Sequence, residues 1–157
     1  MQTDSDTWVV VDTNILVYLA DEATGARNDR ASDVVLPLLH VGRAAITGQI
    51  IGEFFHATTL ARRGRRALLS KERASHWCVE FLDTCHYLET TSLMVLEALR
   101  GATEYQMQIF DALIWATAKL GGIRTVLTED LPGRTNIEGV HYLNPFAPGF
   151  SLSRIGL

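Results

Sequence analysis

The chain has 157 residues, of which 47% are hydrophobic, and a formal net charge of −4 at pH 7. A chain of this length fits one domain, which buries roughly 70% of its unfolded surface and folds without a disulfide or a metal. The acidic balance disfavours a general nucleic-acid binder. No apolar run approaches the roughly 20 residues of a membrane helix, and the polar start "MQTDSDT" lacks the basic and apolar parts of a signal peptide. We therefore expect a cytoplasmic protein without a membrane partner.

The first predicted elements are a strand and two helices. "WVVV", residues 8–11, predicts a buried strand because it is short, apolar and β-branched. A helix then begins at Thr13 or Asn14, which are both favourable N-cap types. A second helix covers residues 29–40, where Pro37 either kinks it or marks its early end.

The middle of the chain continues with a strand and two more helices. A short strand at residues 43–48 ends in a turn that begins at Gly48. The apolar spacing that follows predicts a helix at about 49–62, which is broken by Gly64. Another helix is predicted over 70–84, "SKERASHWCVEFLDT", from its apolar residues in the second half.

The last third repeats the alternation. Strands are predicted at residues 86–90, 123–130 and 139–144, and helices at 92–101 and 109–122. Gly101 closes the first of these helices, in the manner of a C-terminal glycine. Strands that alternate with helices predict a parallel sheet with helices on both faces. We therefore expect one three-layer α/β/α domain over residues 1–157, with a mainly parallel sheet, a core at about 8–146 and loosely ordered ends at 1–6 and 147–157.

Four acidic residues occupy unusual positions in this pattern. Asp12 ends the first strand and Asp130 follows a later one, so both reach the edge of the sheet where ligands bind in open α/β folds. Glu53 and Asp111 stand within the apolar segments "QIIGEFFHATT" and "QIFDALIWATA", where an unpaired carboxylate is costly to bury. Clustered carboxylates without neighbouring cations favour a divalent ion that prefers oxygen ligands, Mg²⁺ or Mn²⁺.

Each acid taken alone also has an ordinary explanation. Asp12 is a suitable helix cap, and Glu53 fits an exposed helix position. Asp111 suits the first turn of a helix, whose dipole favours a negative charge, and Asp130 suits a turn before Leu131. Only the combination of the four favours a binding or catalytic site.

Five segments resemble, in order, the motifs of a known family. "VVDTNILVYL", "ITGQIIGEFF", "IFDALIWATA", "VLTEDL" and "HYLNPF" are similar to the motifs of the PIN-domain ribonucleases, and among these of the VapC-like toxins of toxin–antitoxin modules. The resemblance extends from about Val9 to Phe146, nearly the whole chain. Each motif is short, and their order and spacing make the match specific.

The resemblance implies a site, residue by residue. The family's acidic catalytic and metal-binding positions correspond to Asp12, Glu53, Asp111 and Asp130. Asn14 and Thr128 match its supporting polar positions. Glu129 falls where the family varies, so we expect its side chain to point away from the site.

The resemblance also implies an activity and its partners. It predicts a metal-dependent endoribonuclease that hydrolyses RNA phosphodiester bonds with one or two Mg²⁺ or Mn²⁺ ions. Asp12 and Asp111 are expected to hold the primary ion, with Glu53 and Asp130 in assisting roles. By the same resemblance the protein is a homodimeric toxin whose partner is an antitoxin protein.

Two further features allow a functional and a structural interpretation. A basic segment contains Arg62, Arg63, Arg65 and Arg66, which either contact RNA phosphates or belong to a solvated loop. Trp115, four residues after Asp111, either stacks on a base or packs in the core or a dimer interface.

Other functions fit the sequence less well. A PIN-like domain that binds protein without catalysis would not need all four acids. The haloacid-dehalogenase phosphatases also begin with a strand that ends in Asp, but they need a second Asp where Asn14 stands. Bacterial receiver domains need a late lysine after a strand, whereas Lys119 lies within a predicted helix.

Overall fold

The computed structural model describes residues 8–157, so the expected loose end at 1–6 lies outside the described residues. The strands are β1 (Val9–Val11), β2 (Ala44–Thr47), β3 (His86–Leu88), β4 (Thr125–Leu127), β5 (Asn136–Ile137) and β6 (Val140–Leu143). The helices are α1 (Thr13–Ala20), α2 (Ala26–His40), α3 (Gly48–Thr59), α4 (Lys71–Thr84), α5 (Ser92–Glu104) and α6 (Ile109–Leu120). No helix within residues 8–157 is both long and apolar enough to cross a membrane.

The strands form one mostly parallel sheet in the order β3-β2-β1-β4-β6-β5. All neighbours are parallel except β5 and β6, which form an antiparallel pair. The chain moves outward from β1 to β3 and then returns to place β4 on the other side of β1. The strand order therefore reverses between β1 and β4, and such a reversal opens a crevice at the carboxyl ends of the two strands.

The helices pack in two groups. α1 contacts α2 and α3, α3 contacts α4, and α5 packs along α6. Crossovers between parallel strands are right-handed, so α1 to α4 lie on one face of the sheet. After β3 the next strand, β4, is added on the other side of β1, and α5 and α6 therefore lie on the opposite face. The expected three-layer α/β/α architecture with a mainly parallel sheet is confirmed.

The central strands are buried because they are apolar on both faces. All residues of β1 and β2 are buried, as covered parallel strands require. Trp115 is the largest fully buried side chain, and its indole Nε1 donates to the carbonyl of Ile137 at 3.0 Å. Base stacking by Trp115 is therefore wrong, and its position in the core is confirmed.

Several element boundaries differ from the prediction. α2 begins three residues early, at Ala26, and continues through Pro37. Gly48 begins α3 rather than a turn, because the hydroxyl of Thr47 caps the helix by accepting from the amide of Ile50 at 3.2 Å. α3 ends at Thr59 instead of about residue 62. The two-residue strand β5 was not predicted, since it is too short to show a pattern.

Gly101 lies inside α5 and does not end it. A Cβ atom at this position would stand 2.5 Å from the ring of Trp115, so the glycine allows α5 and α6 to approach closely. We expect Gly101→Ala to lower the free energy of unfolding by about 1–3 kcal/mol through overpacking, despite the better helix propensity of alanine. Urea unfolding measures this, and Gly52→Ala, which meets no atom within 4 Å, is the matched control on a helix. Equal stability of the two variants would contradict the prediction.

The carboxyl-terminal segment 147–157, expected to be loosely tied, packs on the domain. Arg30 donates to the carbonyls of Pro145 and Phe150 at 2.8 and 3.0 Å. Arg43 donates to the carbonyls of Ile155 and Gly156, both at 2.9 Å. Phe150 and Ile155 are buried. The sequence did not indicate these contacts, because the arginines are more than 100 positions away from the carbonyls they bind.

Candidate active site

Asp12 stands at the strand reversal, between the end of β1 and the start of α1. Its Oδ1 accepts from the amide of Thr13 at 2.7 Å, which makes it the N-cap of α1. Its Oδ2 accepts from the hydroxyl of Thr128 at 2.7 Å, across the junction between β1 and β4. Asp12 is therefore the N-cap of α1 and also takes part in a hydrogen-bond cluster at the strand reversal.

Asn14 ties the end of β4 to the first turn of α1. Its Nδ2 donates to Thr128 Oγ1 at 3.1 Å and to Asp130 Oδ2 at 3.3 Å. Its Oδ1 accepts from the amide of Glu129 at 3.2 Å. The Thr128 hydroxyl, which also accepts from the amide of Asp130 at 3.1 Å, links Asp12 to Asn14. These contacts position the carboxylates of Asp12 and Asp130 at the same edge of the sheet.

Glu53, on α3, is held by two residues that the sequence analysis did not identify. Thr13 Oγ1 donates to Glu53 Oε2 at 3.0 Å, and Gln49 Nε2 donates to Glu53 Oε1 at 2.7 Å. Gln49 also donates to the carbonyl of Phe110 at 3.2 Å, at the start of α6. The spacing of Gln49 and Glu53, four residues apart on a helix, was the available signal.

The four acids and part of the basic segment line one cleft of about 830 Å³. Asp12, Glu53, Asp111 and Asp130 all line it, and Asp111 reaches it from the first turn of α6. Arg62, Arg65 and Arg66 line the same cleft, whereas Arg63 does not belong to its lining. The loop between α3 and α4 thus brings positive charge to the acidic side chains.

Burial and the repulsion of neighbouring charges make the carboxyl groups of Asp12 and Asp111 reluctant to ionise. Burial raises the pKa of Asp12 to about 6; the negative charges of Glu53 and Asp111 add to this, and the hydrogen bonds from Thr128 and Thr13 oppose it. Burial likewise raises the pKa of Asp111, with contributions from Glu53 and Asp130. The site therefore gains from any positive charge that binds within it.

The donor set fits a hard divalent cation, although the side chains do not converge on one point. Among residues 8–157, no three Asp, Glu, His or Cys side chains are grouped closely enough to enclose an ion. Carboxylate oxygens of Asp12, Glu53 and Asp130 instead accept hydrogen bonds from hydroxyl and amide donors of the protein. Mg²⁺ is usually bound through one or two carboxylates and keeps several waters, so an open set of four carboxylates suits it better than a closed cage.

Glu129 takes no part in the acidic cluster. Its carboxylate accepts from the hydroxyl of Tyr18 at 2.7 Å and pairs with Arg27. The guanidinium of Arg27 also lies 5.0 Å from the ring centroid of Tyr18. The side chain of Glu129 thus points to Tyr18 and Arg27 and away from the four acids, as expected.

A second, much smaller cavity shares Asp12, Asp111 and Asp130 with the cleft. Asp12, Asp111, Thr128 and Asp130 line it from the site, and Tyr142 lines it from β6. Burial raises the pKa of Tyr142, and the charges of Asp111 and Asp12 raise it further, so its hydroxyl stays protonated. The sequence analysis did not identify Tyr142, because an aromatic residue in a strand indicates only packing.

The comparison with solved structures finds the same fold in bacterial toxin–antitoxin systems. A toxin–antitoxin complex from Klebsiella pneumoniae contains a chain that is 21% identical, with a TM-score of 0.62, over 88% of this chain and 98% of that one. VapBC2 from Rickettsia felis, bound to a promoter DNA fragment, is 16% identical with a TM-score of 0.62, over 87% and 97%. VapC20 from Mycobacterium tuberculosis, a toxin that cleaves the sarcin–ricin loop, is 16% identical with a TM-score of 0.56, over 75% and 86%.

The sequence comparison identifies the family. A comparison with curated proteins finds no match. The family model of the PIN domain matches residues 9–131, which include β1 and all four acidic residues. The chain therefore belongs to the PIN domain family.

Proposed function

We propose that this protein is a metal-dependent endoribonuclease that acts in the cytoplasm as the toxin of a toxin–antitoxin pair. The observation that carries the proposal is the convergence of Asp12, Glu53, Asp111 and Asp130 on one cleft at the strand reversal. The PIN family match and the shared fold with toxins, one of which cleaves an RNA loop, support it. Asn14 and Thr128 act as supporting residues, because they hold Asp12 and Asp130 in place.

The four carboxylates would hold one or two Mg²⁺ or Mn²⁺ ions. Asp12 and Asp111 are the proposed primary ligands, since the charge of Asp111 raises the pKa of Asp12 and the charge of Glu53 raises the pKa of both. A bound divalent ion would neutralise charge on the scissile phosphate and lower the pKa of water at the site. Glu53, held by Thr13 and Gln49, is placed to orient that water or to complete the ligand set.

RNA cleavage by the purified protein tests the proposal. Total cellular RNA is incubated with Mg²⁺ or Mn²⁺ and, in parallel, with EDTA. Discrete fragments that depend on the metal are expected, and their ends begin to identify the target. Intact RNA under every metal condition, with the metal bound, would contradict general ribonuclease activity and favour a PIN-like domain that only binds protein.

The arginines of the cleft are proposed to contact RNA phosphates. In the variant Arg65→Ala/Arg66→Ala we expect KM to rise and kcat to change little. Contacts to RNA phosphates stabilise the bound substrate and the transition state equally, so their loss weakens binding without slowing the chemical step. The slope of log KM against log salt should fall by about 0.7 for each arginine, as for single-stranded substrates. The measurement is steady-state cleavage over a series of salt concentrations.

Arg63 provides the matched control for this prediction. It belongs to the same loop and carries the same charge, but it does not line the cleft. Arg63→Ala should therefore leave KM and its salt dependence close to those of the wild type. An effect of Arg63→Ala on log KM that is half as large as the effect of the double variant would mean that the loop acts through net charge alone.

The proposed protein partners are an antitoxin and a second copy of the chain. α5 exposes an apolar stripe of Leu93, Leu96 and Leu99, whose exposed fractions are 69%, 63% and 52%. Apolar stripes of this kind are typical of protein interfaces. Light scattering of the protein alone tests the homodimer, and Leu96→Glu should shift a dimer to monomer. A monomeric wild type would contradict the homodimer, and the stripe would then be assigned to the antitoxin.

A further inference from the structure

The hydroxyl of Tyr142 is buried beside the acidic cleft without a hydrogen-bond partner. Tyr142 is only 4% exposed. Among the side chains of residues 8–157, its oxygen is the buried polar atom that has no partner in the protein. Buried polar groups are nearly always hydrogen-bonded, so an orphaned hydroxyl at this place calls for a physical explanation.

The position of Tyr142 in the sheet directs it to the acidic site. In the register of the parallel strands, Tyr142 lies beside Val126, and Val126 lies beside Val10, two residues before Asp12. α6, which carries Asp111, packs against β4 and β6. Tyr142 therefore lines the small cavity together with Asp12 and Asp111, and it does not line the open cleft.

The small cavity between these groups has room for one water molecule. Its volume is about 10 Å³, close to the minimum that one water needs. Its lining supplies polar partners from Tyr142, Asp12, Asp111 and Thr128. A buried water typically makes about three hydrogen bonds, and a phenolic donor together with two carboxylate acceptors meets this number.

We propose that Tyr142 is a positioning residue of the acidic site, whose hydroxyl donates to one water in this cavity that in turn donates to the carboxylates of Asp12 and Asp111. The water accepts one hydrogen bond and donates two, so every polar group of the arrangement is satisfied. Its effect is to fix the orientation of both carboxylates from within the small cavity. This inference rests on the proposed metal-dependent function.

Tyr142→Phe separates this role from simple packing. The change removes only the hydroxyl, which makes no hydrogen bond within the protein, and keeps the ring in the core. If the ring acts by packing alone, the variant is as stable as the wild type or more stable, and its metal affinity is unchanged. If the hydroxyl positions the carboxylates, stability is retained while the affinity for Mn²⁺ falls by about 10- to 100-fold, as for other outer-shell partners of metal ligands.

Three proteins are compared: the wild type, Tyr142→Phe and the control Tyr87→Phe. Electron paramagnetic resonance measures the affinity of each for Mn²⁺, and unfolding in EDTA measures the stability of each. Tyr87 lies half-exposed on the edge strand β3, away from the cleft, so its variant should bind Mn²⁺ like the wild type. A weaker affinity in Tyr142→Phe alone, with stability retained, supports the proposal. Equal Mn²⁺ affinity of all three proteins overturns it while leaving the proposed nuclease function intact.

A crystal structure of the metal-free protein gives a second test that does not depend on metal binding. Ordered water within hydrogen-bond distance of the Tyr142 hydroxyl and of the Asp12 or Asp111 carboxylate is expected. A dry cavity overturns the proposal. A wild-type protein that binds no Mn²⁺ overturns the proposed function and, with it, the role given to Tyr142.

Discussion

Asp111→Asn should abolish metal-dependent RNA cleavage and at the same time stabilise the metal-free protein. Asp111 is half-buried at the start of α6, where the helix dipole favours its charge. Its pKa is nevertheless raised by burial and by the charges of Glu53 and Asp130, so the unfavourable effects outweigh the dipole. The amide keeps the shape of the side chain and removes the repulsion.

The loss of activity should be large because a direct ligand is lost. Removing an outer-shell partner typically costs about 10- to 100-fold, so cleavage by Asp111→Asn should fall by more than about 100-fold. In EDTA the melting temperature should rise by about 2–4 °C, the shift that 1 kcal/mol produces in a chain of this size. Added Mn²⁺ should stabilise the wild type more than the variant.

Asp33→Asn provides the matched control. Asp33 is exposed on α2 and lies outside the cleft, so the same chemical change there should leave cleavage and stability nearly unaltered. A destabilised Asp111→Asn protein in EDTA would contradict the prediction, because it would mean that Asp111 is a structural acid. Full cleavage activity in this variant would remove Asp111 from the proposed metal site.

The sequence predicted the strand ends and the acids because both depend on local patterns. Short β-branched runs such as Val9–Val11 form buried strands wherever helices cover them, and Asp12 follows at once. The carboxyl ends of parallel strands meet by geometry, so Asp12 and Asp130 could be placed together before any contact was known.

Contacts between distant segments were not predictable in the same way. Gln49 looks like an ordinary solvated residue at a helix start until α6 places the carbonyl of Phe110 beside it. Gly101 has the typical character of a helix end, and only the ring of Trp115 explains its place inside α5. Tyr142 follows the strand pattern of β6, which does not reveal what lies opposite its hydroxyl.

The carboxyl group of Asp12 should make the metal-free protein less stable as the pH rises from 4 to 7. Its pKa is about 6 in the folded protein and 3.8 as the reference value, so the folded state binds the proton more tightly. The stabilisation that this proton contributes is complete below pH 3.8 and is lost as the pH rises through about 6. The difference between the two pKa values corresponds to a loss of about 3 kcal/mol in the free energy of unfolding.

The difference between the wild type and Asp12→Asn isolates this effect from other titrating groups. Unfolding in EDTA at pH 4, 5, 6 and 7 should show a loss of stability with rising pH that is larger in the wild type than in the variant, in which the raised pKa of Asp111 remains. The variant also loses the hydrogen bond from Thr128, whose oxygen already accepts from Asn14 and Asp130, but this loss does not vary with pH. If the free energies of unfolding of the wild type and Asp12→Asn differ by the same amount at pH 4 and at pH 7, the raised pKa of Asp12 is contradicted.

Divalent metal should reverse this dependence. Because the proposed ligand must lose its proton before it binds the ion, Mn²⁺ affinity should increase with pH until Asp12 is ionised. The stabilisation by Mn²⁺, measured as the rise in melting temperature, should therefore be larger at pH 7 than at pH 5. The buried carboxyl of Asp12 would then destabilise the metal-free protein at neutral pH and stabilise the metal-bound protein. Binding of the proposed metal ion would in this way be coupled to the stability of the fold.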